Sequence, residues 1–366
     1  MTTNRTALIL GASGVVGNAA LHKFLDMGWD VVAASRRKPY VRSDRPFQHL
    51  ALDLTDPVAC DAAAGELRDI THVVYAALYE QPGLIAGWND PEQMATNDAM
   101  LRNLMGALEL AQAPVQHVSA LQGTKAYGVH LQAMRLPAKE RQARVEHPNF
   151  YWLQEDFLRE RAEANGFGVT IWRPQFVFGG PVAAAMNLVP VIGAYSAIRR
   201  FEGLPFSFPG GASYVAEAAD SRLIASAMEW AANSPATWNE TYNITNGDCF
   251  EWRDMWPALA GHLGVELGPD EPLQLAPWFE TKQDIWNEVT RVNGLEPVPL
   301  LQYLGESRYY GDFAFAYGSD GRNNAPAFVS TVKLRQAGFG EVYDTEDAFA
   351  FWFDDLRSRR LLPGRS

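Results

Sequence analysis

Residues 6–17, Thr6-Ala7-Leu8-Ile9-Leu10-Gly11-Ala12-Ser13-Gly14-Val15-Val16-Gly17, decide the fold. Residues 6–10 read as a short apolar strand, the glycines at 11, 14 and 17 as a turn, and residues 18–27 as a helix. Strand, glycine turn, helix is the order that points backbone N–H groups and a helix N-terminus at a pyrophosphate. Glycine clusters are common turn formers, so the flanking strand and helix carry the reading, not the glycines alone. The spacing is G-x-x-G-x-x-G rather than the G-x-G-x-x-G of many dinucleotide sites.

Outward from that turn, strand and helix patterns alternate. Further strands are expected at 30–35, 49–53, 71–77, 115–119 and 169–174, with helices at 57–66, 93–112 and 151–165 between them. This rhythm predicts an α/β fold, a Rossmann-like doubly wound parallel sheet with its ligand at the carboxyl ends of the strands. After Gly179-Gly180-Pro181 the rhythm changes. Segments 213–215 and 241–244 read as sheet-edge elements, and helices are expected at 187–201, 252–263, 278–293 and 342–357. The expected division is a nucleotide-binding domain of residues 1–180 and about 212–249. A smaller, mainly helical C-terminal substrate lobe takes about 181–211 and 250–366. The apolar run Phe349-Ala350-Phe351-Trp352-Phe353 reads as a docked closing helix.

Composition narrows the function classes. The chain has 366 residues, 47% of them hydrophobic, as in ordinary folded enzymes. A net charge of −12 argues against non-specific nucleic-acid binding. No run of ~20 apolar residues suggests a membrane span. The first strand begins by Thr6, too early for a secretory signal, so a cytoplasmic location is expected. Cys60 and Cys249 are the only cysteines, which fits a reducing compartment, and with seven scattered histidines they show no metal-site spacing.

The second strand ends in Ser35-Arg36-Arg37-Lys38. An acidic residue there would accept from the ribose 2′-hydroxyl of NAD; none is present. Two arginines instead offer planar donors to a 2′-phosphate, which favours NADPH/NADP⁺. Asp53 is placed to accept from an adenine amino group, or else to cap the helix before Pro57. The expected cofactor contacts are Gly11, Ser13, Gly14, Val15, Val16, Gly17, Ser35, Arg36, Arg37, Asp53, Leu54, Ala76, Ser119, Tyr151, Pro174 and Val177.

Hydride chemistry at such a site needs a donor to the oxyanion that forms. The usual device is Tyr-x-x-x-Lys, which brings both side chains to one helix face. None of the thirteen tyrosines has a lysine four residues later; after Tyr151 the position holds Glu155. A lysine stands elsewhere, in Ser119-Ala120-Leu121-Gln122-Gly123-Thr124-Lys125, on the loop after the fifth strand. From there Lys125 could reach the same space as Tyr151, and a cation beside a phenol stabilises phenolate.

These segments resemble the progesterone 5β-reductase/iridoid synthase-like (PRISE) family of atypical short-chain dehydrogenase/reductases. Residues 117–125, HVSALQGTK, are similar to the family's "VSLQTG-K" segment, and 148–156, PNFYWLQED, to its "NFYY-xx-ED" block. THVVY at 71–75, WRPQFVFG at 172–179 and YNITNGD at 242–248 match "THVFY", "RPxxIFG" and "FNxxNGD" in the same order. The resemblance runs from about residue 6 to about residue 340, and the displaced lysine is its signature. Trp152 replaces a second tyrosine that the family does not fix.

By that resemblance Tyr151 is the donor to a forming enolate and Lys125 its partner. The implied activity is NADPH-dependent reduction of the carbon–carbon double bond of α,β-unsaturated carbonyl compounds, with a small enone or enal as substrate. Tyr309-Tyr310-Gly311-Asp312-Phe313 resembles the family's "W-F-A-D-L" stretch and places Tyr310, or in another register Phe313, over the substrate. Phe178 and Met186 are further pocket candidates, with core packing the alternative role for each. No nucleic-acid or membrane partner is expected, and a homodimer is left open, since the sequence hides the oligomeric state. Two rivals keep the fold: an extended short-chain carbonyl reductase or epimerase, against which the missing Tyr-x-x-x-Lys speaks, and a non-catalytic NADPH-sensing regulator, against which the Tyr151–Lys125 pair speaks.

Overall fold

The structure, a computed structural model, describes residues 5–319 and 326–365. Strands β1 (Thr6–Leu10), β2 (Asp30–Ala34), β3 (Gln48–Leu50), β4 (His72–Tyr75), β5 (His117–Leu121) and β6 (Gly168–Pro174) come first. The short β7 (Val177–Phe178), β8 (Val215–Ala216) and β9 (Ala219–Asp220) precede β10 (Glu240–Ile244) and β11 (Phe250–Glu251). Seven of them form one sheet in the order β3-β2-β1-β4-β5-β6-β10. Every ladder in it is parallel. The order reverses between β1 and β4, the switch point where α/β sheets open a crevice at the strand ends.

The alternation of side chains explains why both faces are covered. In β1, Ala7 and Ile9 pack with α1 (Val15–Asp26) and α6 (Ser221–Ala232), through Ala20, Phe24, Leu223 and Ile224. Leu8 and Leu10 pack on the opposite face with α2 (Pro57–Ala62), α3 (Pro91–Leu110) and α4 (Phe150–Asn165), through Leu101, Leu104, Phe157 and Leu158. A strand apolar on both faces belongs at the centre of a doubly covered sheet.

A further core lies outside the main sheet. It gathers α5 (Leu188–Phe201), α7 (Trp252–Leu263), α8 (Leu275–Glu280), α9 (Gln283–Asn293), α10 (Leu300–Leu304), α11 (Ser307–Ala314) and α13 (Thr345–Ser358) around Tyr195, Trp256, Phe279 and Tyr303. Helix α12 (Val332–Gln336) instead packs on β10. Phe349, Trp352 and Phe353 of the apolar C-terminal run are buried here.

Several elements differ from the sequence reading. The third strand stops at Leu50, so Asp53 lies in the turn beyond it. The fifth strand is His117–Leu121, two residues later than expected, because Val115 N donates to Ala113 O and keeps the chain in a turn. Segment 213–215 does not join the main sheet; β8 pairs antiparallel with β11 instead. The helix expected at 278–293 is two helices, broken where the Thr281 hydroxyl turns back to Trp278 O.

Candidate functional site

One cavity of about 870 Å³ runs along the carboxyl ends of the strands, from the glycine turn to α11. At its first end Gly11 has φ +72°, and a Cβ there would lie 2.6 Å from Ala76 O, so only glycine lets the turn sit against the end of β4. No side chain caps α1, and no acidic residue stands in its first turn. Its leading N–H groups and dipole therefore face the cavity uncompensated, as an anion site requires. The Ser35 hydroxyl donates to Arg37 O at 2.7 Å and closes the turn that presents Arg36 and Arg37, both exposed, to the same cavity.

Asp53 lines this end, but it does not cap α2; Asp56 does, accepting from Val58 N and Ala59 N. Asp53 accepts instead from the backbone and hydroxyl of Thr55, which, with Arg36 opposite, hold its carboxyl below the ordinary range. Ser13, Gly14, Val15, Val16, Leu54, Ala76, Pro174 and Val177 also line the cavity. Two of the residues read as cofactor contacts do not. Gly17 packs inward, where a Cβ would stand 2.2 Å from Gly11 O; its role is close packing of helix on turn. Ser119 lies within β5, where its hydroxyl accepts from buried Trp172 Nε1 at 3.2 Å.

Tyr151 and Lys125 both line the cavity further along. Tyr151 sits in the first turn of α4, whose N-cap is Asn149: its Oδ1 accepts from Tyr151 N at 3.0 Å. The Asn149 amide donates to Lys125 O at 3.2 Å, so one side chain ties the two segments together. Gln122 Nε2 donates to Tyr151 O at 3.2 Å, and the Tyr151 hydroxyl lies 3.4 Å from where a Cβ on Gly123 would be. Burial, with Glu80 nearby, pushes the phenol above its ordinary range.

Lys125 also meets a carboxylate and an indole. Its charged neighbour is Glu80, Nζ to Oε1 3.7 Å, and its Nζ lies 4.4 Å from the Trp88 ring centre. Among the described residues the Tyr151 hydroxyl has no hydrogen-bond partner, which leaves it free to donate into the cavity.

Aromatic side chains close the far end. Tyr310 and Phe313, one helical turn apart on α11, both line the cavity, with ring centres 6.1 Å apart. Phe176 packs 6.0 Å from Tyr310, Trp88 meets Phe313 edge-on at 5.2 Å, and Tyr214 and Met186 complete the wall. Phe178 is a correction: it is buried and stacked on Phe349 at 4.2 Å, in the helical core and outside the cavity wall. Sequence reading missed Glu80, Trp88, Asn149, Phe176 and Tyr214. For Glu80 a positional signal existed, since it lies in the loop that leaves the carboxyl end of β4 at Tyr75.

The strand order, the glycine turn and the cleft at the strand ends define a Rossmann-type protein of the short-chain dehydrogenase/reductase epimerase fold. The UDP-glucose 4-epimerase of Thermotoga maritima superposes with a TM-score of 0.68 at 15% identity, covering 96% of this chain and 99% of that one. That of Bifidobacterium longum, solved with NAD⁺ and UDP, gives 0.67 at 14%, covering 97% and 99%. Within this class the chain belongs to the PRISE-like Rossmann-fold domain family, whose model matches residues 60–363. It is similar to an (S)-8-oxocitronellyl enol synthase of Nepeta cataria, 29% identical over 377 residues, 98% of this chain and 93% of that one. A second such synthase, from Camptotheca acuminata, is 31% identical over 315 residues, 80% and 79% of the two chains. A 3-oxo-Delta(4,5)-steroid 5-beta-reductase of Arabidopsis thaliana is 29% identical over 381 residues, 98% and 93%. No helix among the described residues is long and apolar enough to cross a membrane.

Proposed function

We propose that this protein is an NADPH-dependent reductase of the carbon–carbon double bond of α,β-unsaturated carbonyl compounds. The observation that carries the reading is a single cavity, in a chain of this family, that joins an uncapped glycine turn to Tyr151 and Lys125. The residues fit a phosphorylated dinucleotide. The α1 N-terminus would take the pyrophosphate and Arg36 and Arg37 the 2′-phosphate, with Asp53 and Leu54 at the adenosine end. Bound there, NADPH would supply the hydride that adds to the substrate's β-carbon.

The chain's own part is electrostatic. As charge moves onto the carbonyl oxygen, the Tyr151 hydroxyl donates a hydrogen bond to it, and the Lys125 ammonium adds positive potential. Tyr151 is well suited to donate, because burial favours the neutral phenol over phenolate. Trp88, Phe176, Tyr310, Phe313 and Met186 form the substrate wall and exclude water, which strengthens each of these interactions. The nucleotide domain of 1–180 and about 212–249 would hold the cofactor, and the substrate lobe of the remaining residues would add Met186, Tyr310 and Phe313 to a wall that the nucleotide domain shares through Trp88 and Phe176.

The test is NADPH oxidation with a small enone, with product analysis. The saturated ketone is expected, and Tyr151→Phe should slow its formation by about 10²–10³, the usual cost of one oxyanion donor. Recovery of the allylic alcohol, or tight NADPH binding without turnover on any enone, would overturn the proposal.

A further inference from the structure

Lys125 is a cation with little water around it, its side chain 15% exposed. The carboxylate facing it, Glu80, is more deeply placed at 3%. Glu80 is also aimed. Gln93 Nε2 donates to its Oε2 at 2.6 Å, while Gln93 Oε1 accepts from Gln81 N at 2.8 Å, so the buried Gln93 is fixed between loop and carboxylate. The other oxygen, Oε1, is buried, has no hydrogen-bond partner among the described residues and lies 3.7 Å from the ammonium nitrogen. A buried ion pair is weak evidence for stability, since desolvation offsets most of its Coulomb gain. Such a pair in the wall of a ligand cavity that Tyr151 also lines calls for a role in the site.

We propose that Glu80 is a positioning residue of this site: it is the counter-charge that keeps Lys125 an ammonium inside the cavity, and its negative field holds the neighbouring Tyr151 hydroxyl in the protonated, donating form. The proposal deepens the reductase reading and rests on it. Burial pushes the Lys125 ammonium down from its ordinary range, and Glu80 is the group that opposes this. Burial likewise pushes the Glu80 carboxyl up, against the pull of Lys125 and Gln93. The Tyr151 phenol is raised by burial first and by Glu80 second.

Other titratable groups facing the trio do not replace Glu80. His130 is pushed down to about 4, by burial first, so it is neutral over the working range. Tyr310 is held neutral by its burial. Glu306 is engaged by Gly83 N at 2.7 Å and by Arg308 at 3.8 Å.

The experiment reads Lys125 directly. The chain has six lysines, so ¹⁵N-lysine NMR gives a small set of side-chain signals, with that of Lys125 identified from Lys125→Met. In Glu80→Gln the Lys125 titration should move to lower pH by about one to three units, the usual effect of an adjacent opposite charge. The alkaline limb of kcat/KM should move down with it. Glu80→Asp, which keeps the charge and tests the case where Glu80→Gln folds poorly, should titrate near the native protein. An unchanged Lys125 titration in Glu80→Gln overturns the proposal, and so does a moved titration with an unmoved kinetic limb. Failure of the reductase reading is distinguishable, because it shows as absence of turnover in the native protein while the NMR result still judges the ion pair.

Discussion

Replacing Asn149 tests whether one side chain holds both halves of the site. Its Oδ1 accepts from Tyr151 N, one of the leading N–H groups of α4 that no helix carbonyl can satisfy. Its Nδ2 donates to Lys125 O, and also to His147 Nε2 at 3.1 Å; that nitrogen is free to accept when His147 Nδ1 donates to Val145 O at 2.9 Å. Asn149→Ala removes the cap, worth about 1 kcal/mol, and one hydrogen bond to Lys125 O, worth about another, although that carbonyl still accepts from Gly128 N. Urea unfolding should therefore show a loss of about 2 kcal/mol. The kinetic loss should be larger than this suggests, because Tyr151 and Lys125 lose their shared tether, and misplacement by about 1 Å can cost ~10² in rate. Asn149→Asp separates the two functions. The carboxylate still accepts from Tyr151 N, favoured by the helix N-terminus, but it cannot donate to Lys125 O. Stability should return most of the way while kcat stays low. Native-like activity in Asn149→Asp, or an Asn149→Ala protein as stable and active as the native one, would refute the tether.

Two other perturbations follow from the structure. Arg36→Ala with Arg37→Ala should weaken NADPH by about ten- to a hundredfold, the worth of one lost charge-assisted contact, and leave NADH nearly unchanged; equal losses measured by fluorescence titration would remove the 2′-phosphate assignment. His72 and His117 sit side by side at the opposite ends of the strands, ring centres 6.2 Å apart, and burial pushes them down to about 4 and about 3. Their unfolded forms take up protons first, so stability is intact above about pH 6.5 and falls from there toward pH 4, by up to about 3 kcal/mol for His72 alone. The urea midpoint should track that window, with a shallower slope in His72→Gln; a flat profile between pH 6.5 and 4.5 would contradict the burial argument.

The sheet was legible because β1, β2 and β4 are apolar on both faces and punctuated by glycine or polar turns. The end of β3 was not, for a physical reason. Leu50, Leu52 and Leu54 continue the period-two pattern and all enter the same core, but the ladder to β2 ends at the pair Ala34–Leu50. Alternation reports burial, not strand pairing. The break between α8 and α9 was hidden in the same way, since neither glycine nor proline marks it and the turn is made by Thr281. Phe178 stood between a pocket and a core role in the sequence because its neighbour, Phe349, is far along the chain. Glu80 and Asn149 act through partners in other segments, Lys125 in both cases, and no spacing rule joins them.

The position that most short-chain reductases fill with lysine shows why this chain must bring its cation from elsewhere. Glu155 lies four residues after Tyr151 on α4, buried at 5% exposure. Arg173 and Arg159 contact its carboxylate at 3.1 and 3.0 Å, Arg144 at 3.5 Å, and Gln122 donates to it at 3.1 Å. Burial pushes this carboxyl up, but the arginines outweigh it and hold it below the ordinary range. A lysine at this position would put an unpaired ammonium among three guanidinium groups, and breaking a buried pair costs about 3–5 kcal/mol. Gln122 also donates to Tyr151 O, so the same carboxylate that excludes a lysine at this position helps to clamp the helix that carries Tyr151 against the ends of β5 and β6. The segment that supplies this clamp continues within three residues to Lys125. A cation arriving there enters the cavity from the β5 loop, within reach of Glu80, rather than along the helix from below. Excluding a lysine at position 155 and fixing the helix thus rest on the same buried carboxylate.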